Sequence, residues 1–350
     1  MTQHQQREVI VAIVAISPTR VDLAGGTLDI MPLTHILQQR KTVNFGVTLH
    51  AQVELNLSPG AYRLMSHDQG RLVEGSFAEL SRAAQLPWLE KLLAHFWHQD
   101  LPPLQLDIKA RSPAGAGLGG SSCLGIAMAS ALLRARDELG MSMPLSEAKL
   151  VQTVQDLETA LIRVPTGCQD YWGGLRGGIN LISYPPGGAV IQTLRAAEGQ
   201  TLQDLLLLCY SGVSRASGTN NWAIFRRAFD GDLAIISILN EIGGLAESIA
   251  EAVLAGSWSE VFYLSAEEWK LRRSLWSDIE TTETKAIAKA ARESGALFSR
   301  VCGAGGGGVM AIFAEPDQHN KVRLAVTAAG GQFLDAQLSF AGTQVSGVLA

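Results

Sequence analysis

Ser112-Pro-Ala-Gly-Ala-Gly-Leu-Gly-Gly-Ser-Ser122 joins two stretches of different period. Before it, Leu104–Ala110 alternates apolar and polar residues and reads as a strand. After it, Ser121–Leu139 is rich in Ala and Leu and reads as a helix opened by serines suited to an N-cap. Glycines let backbone N–H groups approach a ligand closely. The helix N-terminus behind them adds unsatisfied donors and a positive dipole end. Strand, glycine loop and helix therefore form an anion cradle, with phosphate as the expected guest. No Lys follows the glycines, so this is not a Walker loop, and positive charge must come from a metal ion and from residues elsewhere. Gly115, Gly117 and Gly120 also fit GxGxxG, the dinucleotide fingerprint of an NAD-dependent oxidoreductase. The acidic residues near the required distance, Asp137 and Glu138, still lie in the helical stretch and not at the end of a second strand.

Upstream, Val9–Ile16 reads as a buried first strand, Thr42–Leu57 as a second, and Pro87–His98 as a helix. Downstream, a helix over about Ser146–Arg163 stops before Pro165, and turn-rich sequence follows at Gly173–Gly178. The polar stretch Ala196–Gln203 marks a lobe boundary ahead of a strand at Leu205–Tyr210. Helical patterns then run near Asn220–Phe229, Asp232–Leu254, Trp258–Leu275 and Thr282–Ser294. Strands at Phe298–Cys302 and Val309–Phe313 flank a second glycine run. The expected fold is α+β in two lobes, 1–198 and 199–350. With 47% hydrophobic and 17% charged residues, the chain can bury a large core and is neither disordered nor fibrous. A net charge of −5 offers no general attraction for nucleic acid or anionic membranes. The four cysteines form no CxxC pair, and Val9–Ile16 is too short to span a bilayer, so a cytoplasmic protein is expected.

Three further segments carry chemical groups. Ser17–Asp29 follows the first strand and reads as a loop holding Arg20, Asp22 and Asp29 around a Gly-Gly turn, where Asp22 also fits a plain turn or cap residue. Gly303–Gly308, with five glycines in six residues, exceeds the one or two that a hairpin turn needs. At about 100° per residue, Val151, Val154, Leu161 and Ile162 share a helix face with Glu158 in its middle. A buried carboxylate must be paired or bind metal, so Glu158 is either a structural ion pair or a metal ligand. Asp170 stands at a glycine turn just after that helix.

Together these segments resemble the GHMP kinase superfamily, and within it the branch of heptose-7-phosphate kinases and fucokinases. Gly167-Cys-Gln-Asp-Tyr171, Gly177-Gly-Ile-Asn180 and Gly212-Val-Ser-Arg-Ala-Ser217 carry the branch resemblance. Two departures stand out: Gly-Gly-Thr-Leu-Asp29 replaces the branch's Gly-Gly-Gly-Thr-Asp, and the galactokinase Gly-Glu-His is missing. The resemblance implies a first lobe with a left-handed βαβ unit and an α/β sandwich-like second lobe. It implies ATP and Mg²⁺ as cofactors and transfer of phosphate to a sugar hydroxyl, expected to be the anomeric one. Asp170 aligns with the proton acceptor and Arg20 with its basic neighbour. Pro113, Gly115, Ala116, Gly117, Leu118, Gly119, Gly120, Ser121 and Ser122 would wrap the ATP phosphates. Ser121 and Glu158 align with the magnesium ligands. Asp29, with Thr27, Gly26 and Gly167, would face the sugar, and Gly305 and Gly306 would close over the site. A heptose 7-phosphate needs a second phosphate pocket, which Arg215 with Ser217 can provide. A ligand-sensing relative without catalysis and a kinase of a mevalonate-like acid are the competing readings, and a homodimer is left open.

Overall fold

In the computed structural model, which describes residues 12–195, 200–214 and 218–349, the first strand runs well past its apolar start. β1 spans Ile13–Ala24, so Ser17–Ala24, expected as loop, is strand. Its polar letters disguised it: Ser17, Thr19, Arg20 and Asp22 are all buried. β1 pairs antiparallel with β2, Lys41–Leu57, and the register slips at Pro18, where a residue lacking an N–H fits an irregular ladder. A hairpin, β3 (Tyr62–Ser66) and β4 (Arg71–Gly75), leads through helices α1 (Phe77–Ala83) and α2 (Pro87–Phe96) to β5, Leu104–Ala110. β5 lies antiparallel to β2 and parallel to β3, so the two helices form a crossover.

The glycine loop follows β5 and feeds α3, Gly120–Glu138, which packs on β1 and β2. α4 spans Glu147–Ile162 and α5 spans Gln169–Arg176. The expected turn at Gly173–Gly178 is thus mostly helix. Gly173 and Gly174 are there for close packing, since a Cβ on Gly174 would sit 2.7 Å from Ser17 Oγ. β6 (Ile179–Ser183) and β7 (Val190–Leu194) form a hairpin attached to the N-terminal half of β2.

The second lobe holds α6 (Gln200–Leu205), β8 (Leu206–Tyr210), α7 (Gly218–Phe229), α8 (Leu233–Leu254), α9 (Trp258–Leu275), α10 (Thr282–Glu293), β9 (Ala296–Val301), β10 (Val309–Ala314), α11 (His319–Ala328) and β11 (Gln332–Leu334). Its antiparallel sheet has the order β11-β8-β10-β9. α8 is long and apolar enough to cross a membrane, but it packs on β1 and β2, with Ile235, Leu239, Ile242 and Ile249 in the core. The expected boundary at 198 falls among residues outside the described set. The lobes are not cleanly divided in sequence, because β12, Gln344–Ser346, returns to pair with β1 and completes an eight-stranded first sheet. One hydrophobic cluster also joins Val21, Leu23 and Phe45 to Leu207, Ile242 and Ile312.

Candidate active site

Gly115, Gly117 and Gly119 all have positive φ, between 65° and 77°, a region that costs other residues strain. Their tightness has a second cause. A Cβ on Gly117 would lie 2.5 Å from Cys302 O, and one on Gly119 would lie 2.8 Å from the Asp170 side chain. The 303–308 run explains itself in the same way. Its backbone lies against the first glycine loop, with Val309 N–H donating to Ala116 O at 2.8 Å, and a Cβ on Gly308 would meet Ala116 O at 2.6 Å. Gly303 and Ala304 reach the cavity, whereas Gly305 and Gly306 do not line it. They turn instead onto Ile279, whose carbonyl accepts from Gly306 N–H at 2.8 Å.

The cavity measures about 800 Å³ and runs from Pro113 and Trp88 past Ser121 and Glu158 to Asp170, Asp29 and Asn221. Glu158 is buried, and three hydroxyls hold it. Ser121 Oγ donates to Oε1 at 2.5 Å, and Ser122 Oγ and Tyr171 OH donate to Oε2 at 2.9 and 2.6 Å. Burial pushes its carboxyl above the ordinary range, although the hydroxyl bonds oppose that shift. The helix-face expectation holds for Val151 and Val154, but Leu161 and Ile162 face the cavity and Ile162 is exposed. Ser121 and Glu158 set a hydroxyl and a carboxylate side by side, a hard oxygen pair of the kind Mg²⁺ prefers. With one carboxylate in the set, its remaining coordination would fall to phosphate oxygens and water.

Asp170 sits in the first turn of α5, not in a glycine turn, and its side chain is 25% exposed. Arg20 grips it: Nε donates to Oδ1 at 2.8 Å and Nη2 lies 2.6 Å from the same oxygen. Arg20 Nη1 also donates to Gly117 O at 2.7 Å, tying the Arg20–Asp170 pair to the glycine loop. Burial alone would lower the pKa of Arg20, but Asp170 and Asp22 outweigh it and hold the guanidinium charged. Asp29 is buried beside them. Burial pushes its carboxyl up to about 6 despite the bond from Gln169 N–H to Oδ2 at 2.9 Å. Gly167 must be glycine, since a Cβ there would fall 1.9 Å from Asp29 Oδ2. Gly26 and Thr27 line the same end. Thr27 takes a left-handed φ of 75° and bonds across the lobes to Asn221 Oδ1 at 2.6 Å.

Behind Asp29 and Asp170, Asp22 proves to be no turn residue. Arg300 Nη2 donates to its Oδ2 at 2.9 Å, and Gly303 N–H donates to Oδ1 at 2.9 Å. Glu268 in turn accepts from Arg300 Nη1 at 3.1 Å, from Arg272 Nε at 3.3 Å and from Gly25 N–H at 3.2 Å. All four charged side chains are buried. Burial would raise the Asp22 pKa, but Arg300 and Arg20 hold it below the usual range.

Two family models match this chain, the GHMP kinases N terminal domain over residues 81–178 and the GHMP kinases C terminal over 249–332. It belongs to the GHMP kinases. These kinases are phosphotransferases, and the chain is similar over 94% of its length, at 25% identity, to an L-fucokinase/L-fucose-1-P guanylyltransferase of Bacteroides fragilis. It spans only 38% of that relative's length. A D-glycero-alpha-D-manno-heptose 7-phosphate kinase of Campylobacter jejuni is 22% identical, covering 67% of this chain and 68% of that one. Among solved structures, a D-glycero-D-manno-heptose 1-phosphate kinase from Bacteroides thetaiotaomicron superposes with a TM-score of 0.75 at 18% identity, covering 97% of this chain and all of the other. A Lactococcus lactis galactokinase complexed with galactose gives 0.74 at 19% identity, over 97% of this chain and 95% of the other. Both structures share the two-lobed fold.

Within this GHMP kinase, the structure gathers Arg20, Gly26, Thr27, Asp29, the 113–122 cradle, Glu158, Gly167 and Asp170 around one cavity. Arg215 and Ser217 lie outside the described residues. The dinucleotide reading fails on topology, because α3 is followed by α4 and not by a second strand. Sequence reasoning missed Tyr171 and Gln169, although both flank Asp170 in the motif that was quoted. It also missed Asn221, Arg300, Glu268 and Arg272, which come from distant segments and carry no local signal.

Proposed function

We propose that this chain is an ATP- and Mg²⁺-dependent sugar kinase that phosphorylates the anomeric hydroxyl of a heptose 7-phosphate or a fucose-like sugar, in the cytoplasm. One observation carries the reading: a partly exposed Asp170, paired with buried Arg20, stands against the same glycine cradle whose helix brings Ser121 to Glu158. Phosphoryl transfer passes through a charge-spread transition state, so positioning and electrostatics dominate. The cradle's N–H groups and the α3 N-terminus hold the ATP phosphates. Ser121 and Glu158 would hold Mg²⁺, which when bound neutralises charge on the phosphates. Asp170 accepts the proton of the attacking hydroxyl, while Arg20, bound to Oδ1, orients that carboxylate and offsets developing charge. Asp29 and Thr27 orient the sugar. The fucose and heptose kinases among its relatives support the acceptor class.

ADP release tests this directly with a panel of free and phosphorylated sugars. Asp170→Asn is expected to lower turnover by about 10²–10⁴-fold while an ATP analogue still binds. Near-normal turnover in that variant would refute the base assignment.

A further inference from the structure

Gln169 lies between the two carboxylates of the acceptor end, yet its side chain makes no hydrogen bond to the protein among the described residues. Its backbone N–H donates to Asp29 Oδ2 and its carbonyl accepts from Asn44 Nδ2 at 3.1 Å, so the main chain is fixed. The residue lines the cavity and is only 5% exposed. Its side-chain oxygen is nevertheless buried without a partner. A buried amide left unpaired is costly, and in a native site it calls for an explanation. Asn221 faces the same space from the second lobe. Thr27 takes its Oδ1, which leaves its Nδ2 without a partner among the described residues.

We infer that Gln169 and Asn221 read hydroxyl groups of the acceptor other than the one attacked. Gln169 accepts a hydrogen bond from one hydroxyl, and Asn221 donates to a second. The acceptor is then a polyol, with at least two hydroxyls beside the reacting one. These amides set its specificity, because a substrate lacking either hydroxyl leaves a polar group of the site unpaired. A mevalonate-like acid, poorer in hydroxyls, is disfavoured on this ground. The inference rests on the sugar-kinase reading above.

The test compares kcat/KM of the native enzyme, Gln169→Met and Asn221→Ala on D-glycero-D-manno-heptose 7-phosphate, L-fucose and the monodeoxy analogues of each. For the sugar turned over, each variant is expected to lose about 10–100-fold, with KM for ATP within about twofold. For each variant one deoxy analogue should be used equally well by native and altered enzyme, because the hydroxyl that the amide reads is already gone. Unchanged kcat/KM, or the same loss on every analogue, overturns the inference and leaves the kinase reading intact. Should Gln169→Met melt well below the native protein, Asn221→Ala, at a half-buried position, decides by the same criterion. No turnover of any of these sugars by the native enzyme sinks the sugar-kinase reading, and this inference with it.

Discussion

Asp29 sits in an environment at odds with its charge. Burial raises its carboxyl from 3.8 to about 6, so between those values the folded protein holds a proton that the unfolded chain releases. Its contribution to stability is therefore fully present below about pH 3.8 and is lost as pH rises through 6. Above that it amounts to a penalty of about 3 kcal/mol, at roughly 1.4 kcal/mol per pH unit. Asp29→Asn should remove the dependence. Denaturation of native and variant protein from pH 4 to pH 7 is expected to show the native form losing ground to the variant as pH rises. A constant difference would mean that the carboxyl titrates normally. Asp29 lines the cavity beside Asp170, and a carboxyl perturbed in this way inside a cleft is a candidate functional group.

Two neighbouring residues of α5 face two halves of the site: Asp170 meets Arg20, and Tyr171 donates to Glu158 Oε2. Tyr171 thus orients the carboxylate that would hold the metal ion. Tyr171→Phe should raise the Mg²⁺ concentration for half-maximal activity about 10-fold, the usual scale for loss of a partner of a metal ligand. Magnesium titration of the purified enzyme reads this, and an unchanged midpoint would reduce Tyr171 to packing. The cradle makes a second demand. Gly117→Ala combines a φ of 77° with a Cβ 2.5 Å from Cys302 O, so it should weaken ATP-analogue binding and cost more than about 1 kcal/mol of stability. The glycine loop and the helix after it were legible because phosphate binding needs a local string of small residues. α5 was not, because Gly173 and Gly174 imitate a turn while serving close packing against Arg20 and Ser17. β1 was half legible for a related reason. Its polar residues are buried only because Asp170, Arg300 and Gly303 arrive from 150 to 281 positions away, and no local pattern announces such partners.

The lobes meet through charge as well as through apolar packing. Arg300, wholly buried on β9, neutralises Asp22 of β1 and Glu268 of α9 and also donates to Leu23 O. Arg300→Met would take one cation from two buried carboxylates, leaving Glu268 to Arg272 and Asp22 to Gly303 N–H and the more distant Arg20, a change expected to cost about 3–5 kcal/mol, read by urea denaturation. The C-terminal segment adds a second tie across the whole molecule. After β11 the chain crosses back to the first lobe, where Ser339 N–H donates to Gly46 O and Gly178 N–H donates to Ser339 O, at 2.8 and 2.7 Å. Gly342 lies so close to α5 that a Cβ would fall 2.0 Å from Leu175 O, and Thr343 Oγ1 donates to Gly174 O at 3.0 Å. The last strand then closes the sheet edge on Val14, Ala15 and Ile16. This segment therefore supports the helix that carries Asp170 from its far side. Truncation after Gln337 should lower the melting temperature and reduce kcat more than it raises KM for ATP, since the cradle is held by Cys302 and Val309, while Leu349 N–H of the segment reaches α3 only at its far end, on Glu138 Oε2. A truncated chain with native kcat at a temperature where it remains folded would show that α5 is held without the returning strand.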